Sequence, residues 1–600
     1  MRRVAPSKSM QTLRGMAVSP GVAMGPPLVI DPHGIRVPHR AIATEAVAAE
    51  ISRLERGLEA ARLEAHAAEA DARTRLGPQY GDILAAHASM IEDPALRRDA
   101  CQQIEQDHVS AESAVADVLD GYVARLEGLA NSYLAARAAD VRDIQQRILR
   151  HFTGQCTASV PAAERDQPVV ILAHDLSPSQ TAGLDPRRVL GFATEAGGRT
   201  SHTAIVAAGL EIPAVVGLGR VLDQARLCSM VIIDGDEGLV ILDPDPETLD
   251  RYRQAAADRN ARFEGLAGLA TLPAETRDGT RVGLWGNIEF PGEVVACCER
   301  GADGVGLYRT EFLYLNSDRP PTEEEQFAAY EGVVRSMQGR PVVIRTLDLG
   351  ADKLAAYQSV YGDERNPFLG LRSLRLSLRH PALFRTQLRA ILRASALGDV
   401  RIMFPLVSTL GELRQARAVL DDVASELAAE GLSVRDDLPV GVMIEVPAAA
   451  LVADQLAKEV DFFSIGTNDL IQYTLAVDRT NETVADLYSA ADPAVLRLIA
   501  MVVTAAQPLG IEVNVCGTMG GEPLYTMLLL GMGLRQLSMP PHQLPEVKRV
   551  VRGIDLEQAR AVAEACLQLD TAQSVVTHLQ QALSQALPDS PIVGADVRGG

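Results

Sequence analysis

Between Val282 and Met539 the chain repeats one pattern eight times: a short, nearly continuous apolar run, then a longer stretch with helical spacing. The runs are VGLWGN, GVGLYR, PVVIRTLD, VRIMFP, VGVMIEV, FFSIGT, EVNVCG and RQLSM. Parallel strands read this way because crossover helices cover both faces of their sheet. Eight consecutive strand–helix units predict a closed (β/α)8 TIM barrel. A helical segment from about Leu556 to Leu587 follows, and 588–600 is expected to be a disordered tail.

The first half reads differently. Residues 1–12 are polar and expected to be disordered, and Leu13 to Ile30 alternates short strands with tight turns. From Ala43 to Phe152 the texture turns to Ala, Glu, Arg, Leu and Gln at helical spacing, divided into about four helices. Apolar runs return in PVVILAHDL, RVLGFATEAG, IPAVVG and MVIIDGDEGLVIL, closing an α/β domain near Asp243. The expected organisation is therefore α/β, with one domain at 13–42 and 153–243, a helical-bundle insert at 43–152, a linker helix at 244–273 and the barrel at 274–587.

Charge narrows the partners. There are 57 basic and 78 acidic residues, a net charge of −21, which argues against a surface covered for polyanions. Aromatics are 4% with one tryptophan, Trp285, so base stacking on nucleic acid is not expected. The helical insert carries 19 acidic and 12 basic residues, which reads as a solvated acidic surface or a face for a basic partner. Seven scattered cysteines (Cys101, Cys156, Cys228, Cys297, Cys298, Cys516, Cys566) lack a CxxC pair and read as reduced thiols. With no apolar signal core and no membrane-length run, a cytoplasmic protein is expected. Lysine occurs only at Lys8, Lys353, Lys458 and Lys548, and the other cations are arginine.

Barrel chemistry sits at the C-terminal ends of the strands. Those ends carry Asn287, Arg309 with Glu311, Arg345 with Asp348, Glu445, Asn468 with Asp469, and Cys516. Glu445 and Asp469 come from neighbouring strands and suit Mg2+, which takes one or two carboxylates beside substrate phosphate and water. Arg309 and Arg345, with Arg372 and Arg479 in the following loops, offer planar forks for phosphate and carboxylate. That many cations call for a small molecule bearing both groups. Cys516 near such charges is a candidate acid or nucleophile, although a strand-end cysteine is also ordinary core.

A second segment is GGRTSHTAIVAAGLEIPAVVG, Gly197 to Gly217. His202 stands among Thr200, Ser201 and Thr203, with a helix expected to begin there. The positive end of a helix dipole disfavours imidazolium and keeps the ring a neutral nucleophile, while its N–H groups favour an attached phosphoryl group. A histidine that merely caps a helix is the plain alternative. The loop is not G-x-x-x-x-G-K-[ST], which excludes a P-loop. If His202 and the barrel act on one substrate, a hinge near Pro244–Leu269 is required.

Taken together, these segments resemble Enzyme I of the bacterial phosphoenolpyruvate-dependent phosphotransferase system. The resemblance runs through VSPGVAMG, YLAARAADVRDIQQRIL, DLSPSQTA, GGRTSHTAIVAAGLEIPAVVG, GVGLYRTEFLYL, PPTEEEQFAAY, IRTLDLGADK, NPFLGLRSLR, QLRAILRAS, IMFPLV, GVMIEVPAA, FFSIGTNDLIQYTLAVDR and LLLGMG. It implies that phosphoenolpyruvate phosphorylates His202, which passes the phosphoryl group to a histidine of the small carrier HPr. It implies further that Arg309 and Arg345 clamp phosphate, that Glu445 and Asp469 hold Mg2+, and that Lys353, Arg372, Asn468 and Arg479 touch substrate. Cys516 falls where the family places the acid that protonates the enolate to pyruvate. The α/β domain then resembles the phosphohistidine domain, the insert the HPr-docking subdomain, and the barrel the dimerising part.

Three positions depart from the family pattern. CGEMAGD is here CGTMGGE, with Thr518 and Gly520; NPFLGWR is NPFLGLR, with Leu371; and Asp492 stands where many relatives carry histidine. Only Met1 to Thr12 precede the first motif, so the sensory domain of the nitrogen-regulatory branch is not expected. Whether the carrier is of the sugar or nitrogen type stays open. The alternatives are a pyruvate phosphate dikinase or phosphoenolpyruvate synthase relative, disfavoured because a helical insert fills the place of a nucleotide-binding domain, and a non-catalytic pyruvate-sensing module, disfavoured by the intact His202, Glu445, Asp469 and Cys516.

Overall fold

The computed structural model describes residues 10–19, 21–30, 40–75, 85, 87–127, 138–153, 167–176, 188–197, 212–226, 228–315, 319–351, 366–435, 437–479, 481, 483–484 and 487–588. They fall into two units, Met1–Asn260 and Ala261–Gly600.

In the first unit the N-terminal strands β1 (Gln11–Arg14), β2 (Met16–Ser19), β3 (Val22–Gly25) and β4 (Pro27–Ile30) alternate between two sheets. β1 and β3 flank β8 (Val231–Asp234) and β9 (Leu239–Leu242) in the antiparallel order β1-β9-β8-β3. β2 and β4 edge a sheet ordered β2-β7-β6-β5-β4, with β5 Val169–Ala173, β6 Val189–Thr194 and β7 Ala214–Val216. Gln11 and Thr12, expected in a disordered start, instead pair with Leu242 and Ile241. The ladder satisfies backbone groups that a free terminus would leave to water.

Helices Val47–Arg75, Pro94–Asp107, Ala111–Glu127 and Ala138–Thr153 share an apolar core that includes Leu54, Ile104 and Ile144. Asp93 starts the second by accepting from Ala95 N, with Pro94 at the first helical position, where a missing N–H costs nothing. A polar helix, Pro246–Ala267, crosses from the first unit into the second.

The second unit contains the closed barrel: β10 Gly283–Ile288, β11 Gly304–Tyr308, β12 Val342–Arg345, β13 Val400–Phe404, β14 Val440–Ile444, β15 Phe462–Ile465, β16 Glu512–Val515 and β17 Gln536–Met539. All eight apolar runs are strands, every pairing is parallel, and β10 closes on β17 through Trp285↔Ser538. Trp285, Leu307, Val343, Met403, Met443, Phe462 and Cys516 pack together on alternate strand positions. Capping boxes start two crossover helices, Thr322 with Glu325 and Thr409 with Glu412. The expected C-terminal helical segment consists of two helices, Leu556–Gln568 and Ala572–Ala586, and Thr571 caps the second through Ser574 N.

One of the four lysines is buried here. Lys548 Nζ donates to Ala270 O at 3.2 Å and Gly301 O at 3.1 Å. Gly301 has φ +73°, and a Cβ there would lie 1.9 Å from Ala270 O and 2.8 Å from Lys548 Nζ. Gly301→Ala is therefore expected to destabilise the barrel by about 3 kcal/mol, through left-handed strain and backbone overlap. Denaturant unfolding of the second unit's transition measures it.

Candidate active site at the barrel mouth

The site is built from the last turn of each strand outward. Arg345 ends β12, Glu445 follows β14 and Cys516 follows β16. Asn468 and Asp469 lie in the first turn of the helix Thr467–Leu475 that leaves β15. Parallel strands of similar length bring these positions to one rim.

Two guanidiniums meet on one carboxylate there. Arg345 Nη1 is 2.8 Å from Asp348 Oδ2, and Arg372 Nη2 is 3.0 Å from Asp348 Oδ1. Arg345 Nη2 also reaches Glu311 Oε1 at 3.1 Å, and Arg372 Nη2 reaches Asp469 Oδ2 at 3.5 Å. Burial opposes ionising Asp348, yet Arg345, Arg372 and the Ser373 hydroxyl hold its carboxyl below the usual aspartate range. Arg345 is raised despite burial because Glu311, Asp348 and Glu445 surround it. Ser373 takes φ 54° while its N–H donates to Leu349 O at 2.9 Å. This turn lays the Arg372 segment against the loop after β12.

Behind Arg345 runs a buried polar rail. Thr310 Oγ1 donates to Arg345 O at 3.0 Å, and Gln387 Nε2 donates to Thr310 Oγ1 at 3.1 Å. Leu347 N donates to Gln387 Oε1 at 2.9 Å, so the first residues after β12 are held from both sides of Thr346.

The carboxylate side is under-neutralised. Glu445 Oε1 accepts from Leu406 N at 2.6 Å, with Leu406 itself at φ 53°. Burial first, then Asp348 and Asp469, push the Glu445 carboxyl well above the usual glutamate range. Asp469 Oδ1 is buried and accepts no hydrogen bond among the described residues; Arg479 Nη2 stands 3.6 Å from it. A Cβ on Gly466 would lie 2.8 Å from Glu445 Oε2, so a glycine gives that carboxylate its space. Two hard-oxygen carboxylates with an unused buried oxygen are a donor set that fits Mg2+. Among the described residues no group of three or more His, Cys, Asp or Glu side chains is arranged to hold a metal alone.

Cys516 is buried, and burial above all pushes its thiol up to about 11, so near neutrality it carries its proton. Asn287 Nδ2 donates to Cys516 O at 2.8 Å while Ser538 Oγ donates to Asn287 Oδ1, tying β16 to β10 and β17. Arg309 stands apart from the Asp348 pair: its Nη1 is paired with Glu289 and its side chain is part-exposed.

The structure thus places Arg345, Arg372, Arg479, Glu445, Asp469, Asn468 and Cys516 at one rim, with Arg309 beside it. His202 and Lys353 lie outside the described residues; the strands flanking 198–211, β6 and β7, are parallel neighbours. The bridging by Asp348 and Glu311 is absent from the sequence-based site, as are Glu289, Leu406 and Gln387. Gln387 had a signal: it is a polar residue on the apolar face of a helix, among Leu383, Phe384, Leu388 and Ile391. Of the departures, Asp492 caps the helix Pro493–Ala506 by accepting from Ala494 N at 2.8 Å.

Asp348→Asn would leave two buried guanidiniums without their shared anion. It is expected to cost about 3 kcal/mol of barrel stability at pH 7, measured by chemical denaturation. Because the native carboxyl is depressed, its contribution is present above the ordinary aspartate pKa of about 3.9 and is lost as pH falls below that, through the native value.

Three family models match the chain: "PEP-utilising enzyme, N-terminal" at 14–137, "PEP-utilising enzyme, mobile domain" at 165–238 and "PEP-utilising enzyme, PEP-binding domain" at 264–556. A phosphoenolpyruvate-protein phosphotransferase of Geobacillus stearothermophilus is 44% identical over 96% of this chain and 99% of its own. Its namesake from Bacillus subtilis is 40% identical over 95% and 100%. A solution structure of Enzyme I shares 36% identity over 41% of this chain and 99% of that one, with a TM-score of 0.35.

Proposed function

The chain belongs to the phosphoenolpyruvate–protein phosphotransferase family, and from that premise we propose that His202 is the group phosphorylated and that the barrel mouth binds phosphoenolpyruvate. The reaction is phosphoryl transfer from phosphoenolpyruvate to a protein histidine, with a phosphocarrier protein as the next acceptor. The observation that carries the site is the Arg345–Asp348–Arg372 cluster, two cations held rigidly beside the Glu445 and Asp469 carboxylates.

Arg345 and Arg372 receive the phosphate and carboxylate of the substrate with forked donors already oriented, so little reorganisation accompanies charge movement. Arg309 joins them once phosphate displaces Glu289, and Arg479, Asn468 and Lys353 complete the contacts. Glu445 and Asp469 would hold Mg2+, which when bound neutralises phosphoryl oxygens. An imidazole nitrogen of His202 forms the new N–P bond as the enol O–P bond breaks. The Cys516 thiol gives its proton to the methylene carbon, yielding pyruvate, and the thiolate is reprotonated from solvent. A thiol raised to about 11 suits this, since it holds a proton throughout the physiological range.

The helical insert supplies the carrier's docking face, an HPr-type protein being the partner of matching chemistry. The insert's first helix exposes Ser52, Glu55, Arg56, Glu59 and Leu63. The barrel domain is proposed as the homodimer surface. Among the described residues no helix is long and apolar enough to cross a membrane, and a cytoplasmic location is proposed with it.

Labelled phosphoenolpyruvate with Mg2+ should give an acid-labile phosphoprotein, and His202→Ala should abolish the label; label persisting in that variant refutes the nucleophile. Cys516→Ala should lower kcat by about 100-fold or more while leaving phosphoenolpyruvate affinity within a few-fold. An unchanged kcat removes the acid role.

A further inference from the structure

Asn468 is locked from one side. Its Oδ1 accepts two hydrogen bonds from a single residue, Thr518 N at 2.9 Å and Thr518 Oγ1 at 2.9 Å. A backbone N–H can only donate, so the oxygen of the carboxamide must face Thr518, and a flipped amide would set N–H against N–H. Tyr488 OH donates to Asn468 O at 3.0 Å and holds the backbone of the same residue. Asn468 is part-exposed, and its Nδ2 has no hydrogen-bond acceptor among the described residues. That NH2 group, unmatched among the described residues, faces a rim lined by Arg372 and Arg479, where an anionic oxygen would meet it.

We propose that Thr518 is a positioning residue for substrate binding, turning the Asn468 carboxamide so that Nδ2 meets a phosphate or carboxylate oxygen of phosphoenolpyruvate. The proposal rests on the reading of Asn468 as a substrate contact. Thr518 heads the short turn Thr518–Gly520 directly after Cys516 and Gly517, so one hydroxyl links the loop of β16 to the helix that leaves β15. Without it the amide keeps one anchor, the backbone N–H, and its donors lose their fixed direction.

The test is steady-state phosphorylation of the full chain and its carrier at varied phosphoenolpyruvate, for wild type, Thr518→Val, Thr518→Ala, Thr518→Ser, Asn468→Ala and Asn468→Ala with Thr518→Val. Thr518→Val and Thr518→Ala should raise KM about 5-fold, the worth of one neutral hydrogen bond, with kcat held. Thr518→Ser should restore KM. In the Asn468→Ala background Thr518→Val should add nothing, since the group it orients is gone. A wild-type KM in Thr518→Val beside a raised KM in Asn468→Ala overturns the positioning role alone. So does an equal penalty in both backgrounds, or a fall in kcat at constant KM. A wild-type KM in Asn468→Ala overturns the substrate contact and the positioning role together.

Discussion

The barrel mouth depends on one carboxylate, Asp348, standing between two buried guanidiniums. Arg345 and Arg372 would repel each other at this separation in a medium of low polarity. Asp348 neutralises the repulsion and fixes both forks before any ligand arrives. The rest of the rim is arranged around that pair. Glu311 takes the other terminal nitrogen of Arg345, Asp469 shares Arg372 Nη2 with Asp348, and the Thr310–Gln387 rail supports the start of the loop. In the binding role proposed above, the entropy of ordering two long side chains is met during folding rather than during binding.

Much of this was legible in the sequence. The eight apolar runs located every barrel strand, because double-sided burial leaves a plain hydrophobic trace. Strand-end polarity then pointed to Arg345, Glu445, Asp469 and Cys516. What sequence did not convey was pairing. Arg345 and Asp348 are three residues apart, but nothing in that spacing says that Arg372 shares the same carboxylate across a loop. The N-terminal strands were also legible as strands and not as partners. β1 to β4 alternate between two sheets, and alternation of that kind is decided by contacts with β5 to β9 more than 130 residues away. The separation of the two C-terminal helices turned on a single cap, Thr571, within a run of good helix formers.

A net charge of −21 and an arginine-rich rim are compatible because they act at different ranges. Surface carboxylates are screened within about 8–10 Å of electrolyte, whereas the buried guanidiniums act in a medium with little screening. The preference for arginine adds to this, since guanidinium stays charged where burial lowers an ammonium. Lys548 illustrates the contrast: burial draws its pKa down while two carbonyl oxygens hold it in place.

Strand order around the barrel follows chain order from β10 to β17, so each new strand can dock on its predecessor as it emerges from the ribosome. Closure is different. β10 and β17 are separated by about 250 residues, and their pairing pays the loop-closure entropy of the whole barrel at once. Asn287 belongs to β10 and Ser538 to β17, and together they brace the Cys516 carbonyl. The polar brace on the Cys516 backbone is thus completed only by the strand pairing that closes the barrel.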